Sequence, residues 1–179
     1  MLKKREMADC HALFDLVKHP EVFPFVRNKT ETIEEYMFHV KNTIEEEEQG
    51  KLISRTILDE WENPIGCISL YEIKGNTGFL GTWLGKPYHG KGYNQRAKNA
   101  FFCELFYEKN VETVFMKIRK TNTRSLKAAE KLPYAVQADP GRLNRGDSDA
   151  FLLFEIPKDL YTLHSLRTFE DESLRLKEA

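Results

Sequence analysis

The sequence has little cysteine, no long apolar run and almost no net charge, and each shortage removes a class of protein. Cys10, Cys67 and Cys103 are widely separated and form no CxxC spacing, so neither a zinc site nor a redox pair is expected. An odd cysteine count without a secretion signal fits a reducing cytoplasm. No apolar stretch approaches the ~20 residues of a membrane span. The opening Met-Leu-Lys-Lys-Arg-Glu has no apolar core of a leader. Lys and Arg number 27 against 28 Asp and Glu, a formal net charge of −1. A protein held to DNA by bulk charge needs an excess of cations. No repeat or low-complexity linker interrupts the chain, so 1–179 is read as one domain.

What is present is organised around Gly81-Thr-Trp-Leu-Gly-Lys-Pro-Tyr-His-Gly-Lys-Gly-Tyr-Asn94. A strand pattern runs into a glycine turn, and the turn opens onto a helical pattern from Gln95 to Lys109. Gly90 and Gly92 let backbone N–H groups converge on one anion. The helix start adds its own N–H groups and the positive end of its dipole. The stretch therefore reads as a phosphate cradle.

Around it, alternation and helical spacing predict β-α-α-β-β-β-α-β-α-β-β. Leu2 to Arg5 is a short strand. Asp9 is the expected N-cap of a helix through Lys18. Thr30 or Thr32 starts a second helix, with Ile33, Tyr36, Met37, Val40 and Ile44 on one face, and Gly50 stops it. Lys51 to Leu58, Ile65 to Ile73 and Thr77 to Leu84 form an antiparallel meander. Ala97, Ala100, Phe101, Phe102 and Leu105 are the expected buried face of the central helix, and Cys67 and Cys103 are expected in the core. Glu112 to Arg119 is a strand and Thr123 to Leu132 a helix. Tyr134 to Ala138 and Ala150 to Ile156 are strands joined by a polar loop with Pro140, Gly141 and Gly146. A terminal helix, Asp159 to Lys177, is expected to pack over the domain or at a subunit contact, which leaves a homodimer open.

Three phosphate motifs compete for residues 85–95. Gly85 to Lys91 fits seven positions of a P-loop, but Gly92 stands where a Mg²⁺-binding hydroxyl is needed. Gly90 and Gly92 begin a dinucleotide fingerprint, but Gln95 replaces its third glycine, and the strand before it sits in a meander. The third motif is the acetyl-CoA turn of GNAT N-acetyltransferases. Gly81-Thr-Trp-Leu resembles the fourth-strand G-y-W-L of the branch that acetylates ribosomal-protein N-terminal alanine. Pro87-Tyr-His-Gly-Lys-Gly-Tyr93 resembles its P-x-x-G-x-G-Y turn. Asn122-Thr-Arg-Ser125 with Ala128-Ala-Glu-Lys-Leu132 resembles the family's N-x-x-S…K-L-G-F segment, with Pro133-Tyr134 in place of Gly-Phe.

The resemblance implies a GNAT fold: a mixed α/β (α+β) domain with a mostly antiparallel sheet of about seven strands flanked by helices. Residues 157–179 are a C-terminal helical extension outside the shared pattern. It implies acetyl-CoA as co-substrate, no metal, and a primary amine acceptor, either a protein N-terminus such as that of a ribosomal protein or a small amine such as a polyamine or antibiotic. It implies pantetheine pairing with the backbone near Trp83, Leu84 and Gly85. Pyrophosphate would sit on the turn that includes His89, Gly90, Lys91, Gly92, Tyr93 and Asn94. Asn122 would hydrogen-bond the pantetheine arm, and Ser125 would protonate the leaving thiolate. Without a base the same fold serves as a CoA-binding module. No carboxylate lies on Phe79 to Leu84, so the base is unassigned; Glu72, Asp139, Asp147, Asp149 and His89 are the candidates, each also readable as an ordinary surface or turn residue. The acidic run Glu45 to Glu48 is either a solvated helix end or an attractor for a basic substrate. Phe23, Phe25, Tyr36 and Phe38 are either core or, by the resemblance, one wall of the acceptor site.

Overall fold

Glycine and proline cut the first 110 residues into short elements, and hydrophobic alternation decides which of them become strands. The structure, a computed structural model, describes residues 1–139, 141 and 147–177. Its chain divides into two compact units, Met1–Asn110 and Val111–Ala179.

In the first unit, β1 (Leu2–Lys4), β2 (Ile53–Leu58), β3 (Pro64–Lys74) and β4 (Thr77–Leu84) pair in chain order, each antiparallel to the next. This is the expected meander with β1 added at its edge. The register aligns Thr56 with Cys67 and Cys67 with Trp83; one step along, it aligns Arg55 with Ile68 and Ile68 with Thr82. Side chains alternate along a strand, so these two rows lie on opposite faces of the sheet. Cys67 and Trp83 pack with α1 (Cys10–Val17) and α2 (Ile33–Glu48) in one cluster that buries Leu13, Phe14, Tyr36 and Val40. The other face carries α3 (Tyr93–Cys103), whose Ala97 and Ala100 line a shallow cavity with Ile57.

Local chemistry sets the helix ends. Thr32 is the N-cap of α2: its hydroxyl accepts the Glu35 N–H at 3.2 Å, while the Glu35 carboxylate accepts the Thr32 N–H. Gly50, at φ 71°, lies two residues beyond the end of α2. Asp9 does not cap α1. It closes a 3-10 turn, Met7–Asp9, with helical φ −82° and ψ −8°, and a capping side chain needs extended backbone. Its carboxylate instead accepts from Lys3 and from the Thr56 hydroxyl. The acidic run is not wholly solvated, because Glu47 folds back to accept from Arg55 at 2.6 Å.

The central helix starts two residues before Gln95 and widens into a π-turn over Glu104–Glu108, where the Lys109 N–H reaches the Glu104 carbonyl at 3.1 Å. Ala97, Phe101, Phe102 and Leu105 are buried as expected. Ala100 and Cys103 are exposed, contrary to expectation. Cys103 lies about 200° around the helix from Phe101, at 100° per residue.

In the second unit, β7 (Phe151–Pro157) pairs antiparallel with β5 (Thr113–Arg119) and with β6 (Val136–Gln137). Val114, Met116, Leu153 and Ile156 are buried. Helices α4 (Thr123–Glu130), α5 (Asp147–Ala150) and α6 (Lys158–Lys177) complete it. The strand expected over Tyr134 to Ala138 shrinks to two residues, because Tyr134 turns away to meet the Tyr161 ring edge-on at 5.0 Å. Pro140 and Gly146 of the polar loop lie outside the described residues. Among the described residues, the elements make the mixed α/β architecture expected: seven mostly antiparallel strands flanked by helices. Among the described residues, no helix is long and apolar enough to cross a membrane.

Candidate functional site

The end of β4 is held from two sides. A Cβ at Gly85 would stand 2.8 Å from Leu16 of α1, so only glycine lets helix and strand approach this closely. The Gly85 N–H donates to the Ile65 carbonyl on β3 at 2.8 Å. The His89 ring, through Nε2, lies 2.9 Å from the Leu84 carbonyl and pins the turn to the strand it follows. His89 is thus a turn residue, as the sequence suggests.

Between β4 and α3 the backbone makes a 3-10 turn, Lys86–Tyr88, and then two glycine steps. Gly90 has φ 74° and Gly92 φ 81°, the left-handed region that other residues occupy at a cost of about 1–2 kcal/mol. Among the described residues, nothing lies within 4 Å of the Cβ position of either glycine, so the turn is open there. Gly92 is the N-cap of α3 and no side chain among the described residues caps the helix; the first backbone bond here is the Arg96 N–H to the Gly92 carbonyl at 3.1 Å. An uncapped helix start beside two left-handed glycines directs N–H donors and the positive dipole end at one place.

The side chains around the turn suit an anion. The Lys91 ammonium lies 5.9 Å from the Tyr88 ring centre, and the Arg96 guanidinium lies 4.6 Å from that of Tyr93. Tyr88 and Tyr93 meet edge to face at 5.8 Å. Tyr93 is anchored by donating its hydroxyl to Glu60. That bond, and burial after it, raise the Tyr93 pKa, and the same bond lowers that of Glu60. The buried Asn94 Oδ1 and Thr82 Oγ1 have no hydrogen-bond partner among the described residues. Asn94 thus brings an unsatisfied polar atom to the first turn of α3, which fits a turn built to receive a polar group.

Asn122 is the N-cap of α4, where its Oδ1 accepts the Ser125 N–H at 3.2 Å. Capping uses the amide oxygen and leaves the amide nitrogen as the donor. Ser125 is half-buried on the first turn of that helix. Glu72 is exposed, at φ 52°, in the bulge where β3 loses register with β4, at the far end of β4 from the turn. Asp139 is exposed and accepts the Gly141 N–H at 2.8 Å. Asp149 is exposed on α5, and Asp147 begins that helix. Sequence reasoning missed Glu60 and Arg96. Arg96 stands three residues after Tyr93, a spacing that could have been read; Glu60 is 33 residues away and carries no such signal.

The site is a glycine turn between a strand and a helix within a mixed, mostly antiparallel α/β fold. A family model described as Acetyltransferase (GNAT) domain matches residues 1–134, and the chain belongs to that family, the acetyl-CoA-dependent N-acetyltransferases. No curated protein matches the sequence. Solved structures share the fold. A spermidine N-acetyltransferase chimera from Vibrio cholerae and hSSAT superposes with TM-score 0.74 at 16% identity, covering 90% of this chain and 97% of the other. A ribosomal-protein-alanine acetyltransferase from Vibrio fischeri gives 0.71 at 19%, covering 88% and 92%. FdhC, a nucleotide-linked sugar GNAT, gives 0.75 at 17%, covering 93% and 91%.

Proposed function

We propose that residues 1–179 act as one GNAT domain that moves acetyl from acetyl-CoA directly to a primary amine, with the pyrophosphate on the turn Tyr88 to Asn94. The observation that carries this reading is the pair of left-handed glycines, Gly90 and Gly92, open to solvent at the uncapped start of α3. Backbone near Trp83, Leu84 and Gly85 takes the pantetheine arm. The Trp83 side chain is committed to the α1–α2 core, so what it offers is main chain. Asn122 adds an amide N–H donor.

The amine nitrogen attacks the thioester carbonyl carbon; the C–N bond forms and the C–S bond breaks. Alignment of the two reactants supplies much of the acceleration. The thiolate takes a proton from the Ser125 hydroxyl, which regains one from solvent. The amine enters neutral or first gives up its ammonium proton to a base, and as the C–N bond forms its nitrogen releases one further proton to solvent, which balances the proton the thiolate takes up. The acceptor is either a protein N-terminus or a small amine.

Calorimetry with acetyl-CoA and thiol release over an amine panel test the reading. Gly92→Val should weaken acetyl-CoA by about tenfold or more, since a branched residue is strained at φ 81°. Ser125→Ala should lower kcat and leave acetyl-CoA affinity intact; unchanged turnover removes Ser125 from the chemistry. Binding without turnover of any amine would make the protein a CoA-binding module.

A further inference from the structure

The first unit holds a cationic aromatic shelf against the strand assigned to the thioester arm. Tyr71 on β3 pairs with Phe79 on β4, and their rings stack at 6.0 Å. The Tyr71 ring also leans across β4: a Cβ at Gly81 would stand 3.3 Å from it. Gly81 precedes Trp83 by two residues on the same face, about 7 Å along the strand. Over the Tyr71 ring lies the Arg27 guanidinium, 4.1 Å from its centre. Arg27 is exposed, in the segment between α1 and α2. Among the described residues, no carboxylate comes within ion-pair distance of it; Glu21 goes to Lys86 and Glu35 to the cap of α2.

A stacked guanidinium uses its face and keeps its in-plane N–H fork, the geometry that grips a carboxylate or phosphate with two parallel bonds. Burial first, and then the charges of Arg27 and Arg5, hold the His39 imidazole below its ordinary value, with Glu46 opposing. A polyamine would place its further cations against this surface.

We infer that the acceptor amine carries an anionic group, carboxylate or phosphate, which Arg27 holds over Tyr71 beside β4. This rests on the acetyl-transfer reading and narrows its substrate class, against a polyamine. Arg27 is a specificity residue and takes no part in bond making.

The test is steady-state thiol release with acetyl-CoA and four amines: β-alanine, phosphoethanolamine, ethanolamine and spermidine. The two anionic amines should exceed ethanolamine and spermidine in kcat/KM by about 10- to 100-fold, the range expected of a charge-assisted pair. The better of the two identifies the anion. Arg27→Gln should abolish that preference through KM, with kcat, ethanolamine turnover and acetyl-CoA affinity held. Arg27→Lys, which keeps the charge without the fork, should retain only part of it. Preference for spermidine, or an equal loss on all four amines in Arg27→Gln, overturns the inference and leaves acetyl transfer standing. Acetyl-CoA binding with no turnover of any amine overturns both.

Discussion

The two faces of the first unit's sheet bury cations to similar depth and treat them in opposite ways. On the face toward α1 and α2, Arg5 is 8% exposed; on the α3 side, Lys98 is 5% exposed. Burial alone would lower both pKa values. Arg5 escapes this: its guanidinium donates to Thr56 Oγ1 at 3.2 Å, Cys67 Sγ at 2.6 Å and Tyr36 at 3.4 Å, and its pKa is raised through Cys67 and Tyr36. Lys98 has no ion-pair partner among the described residues, and burial pushes it down to about 8. Arg55, on the Lys98 face, shows that the partners make the difference. It binds Glu47 and Glu104, whose hydrogen bonds raise its pKa against burial. A buried charge is thus set by what surrounds it more than by depth.

Removing the Arg55 partners' cation should give the largest effect. Arg55→Ala leaves Glu47 and Glu104 facing each other half-buried and should cost about 3–5 kcal/mol by denaturant titration. Loss of under 1 kcal/mol would mean the two carboxylates are solvated and the comparison fails on this face.

Lys98→Met should act in the opposite direction. A fall from 10.5 to about 8 corresponds to about 3 kcal/mol of burial penalty. Below pH 8 both folded and unfolded chains hold the proton and the penalty is full. Between about 8 and 10.5 the folded chain gives up its proton first, so wild-type stability rises with pH; above 10.5 the penalty is gone. The variant should therefore be the more stable by up to about 3 kcal/mol at pH 7, with the gap closing as pH climbs through that window. A gap independent of pH would assign the effect to packing.

The smallest change sharpens the contrast. Tyr36→Phe removes one Arg5 contact and should cost about 1 kcal/mol, since Thr56 and Cys67 still hold the guanidinium. Equal loss in Tyr36→Phe and Arg55→Ala would erase the distinction between a neutral network and a carboxylate pair.

The glycine turn was legible because it is written in contiguous residues. Gly90 and Gly92 permit the left-handed steps a tight turn needs, and Thr32 with Glu35 three residues on marks a cap. The strand order of the first unit followed from alternation between Ile53 and Leu84. Asp9 misled because capping depends on its own backbone angles, which the preceding 3-10 turn sets. Cys103 misled because three neighbouring phenylalanines do not say which side of a helix they bury. The contact of Arg27 with Tyr71 was illegible for a related reason: the two are 44 residues apart in number and meet only where the segment between α1 and α2 folds onto β3.

By itself, then, the sequence determined the glycine turn, the helix it opens, the strands that frame it and the family to which they belong. These depend on torsional preference and periodicity, which act over a few residues. Only the tertiary structure decided which polar atoms are buried, that His89 pins Leu84, that Glu60 holds Tyr93, and that Arg27 lies over Tyr71. Those contacts join residues distant along the chain, and packing rather than local preference brings them together.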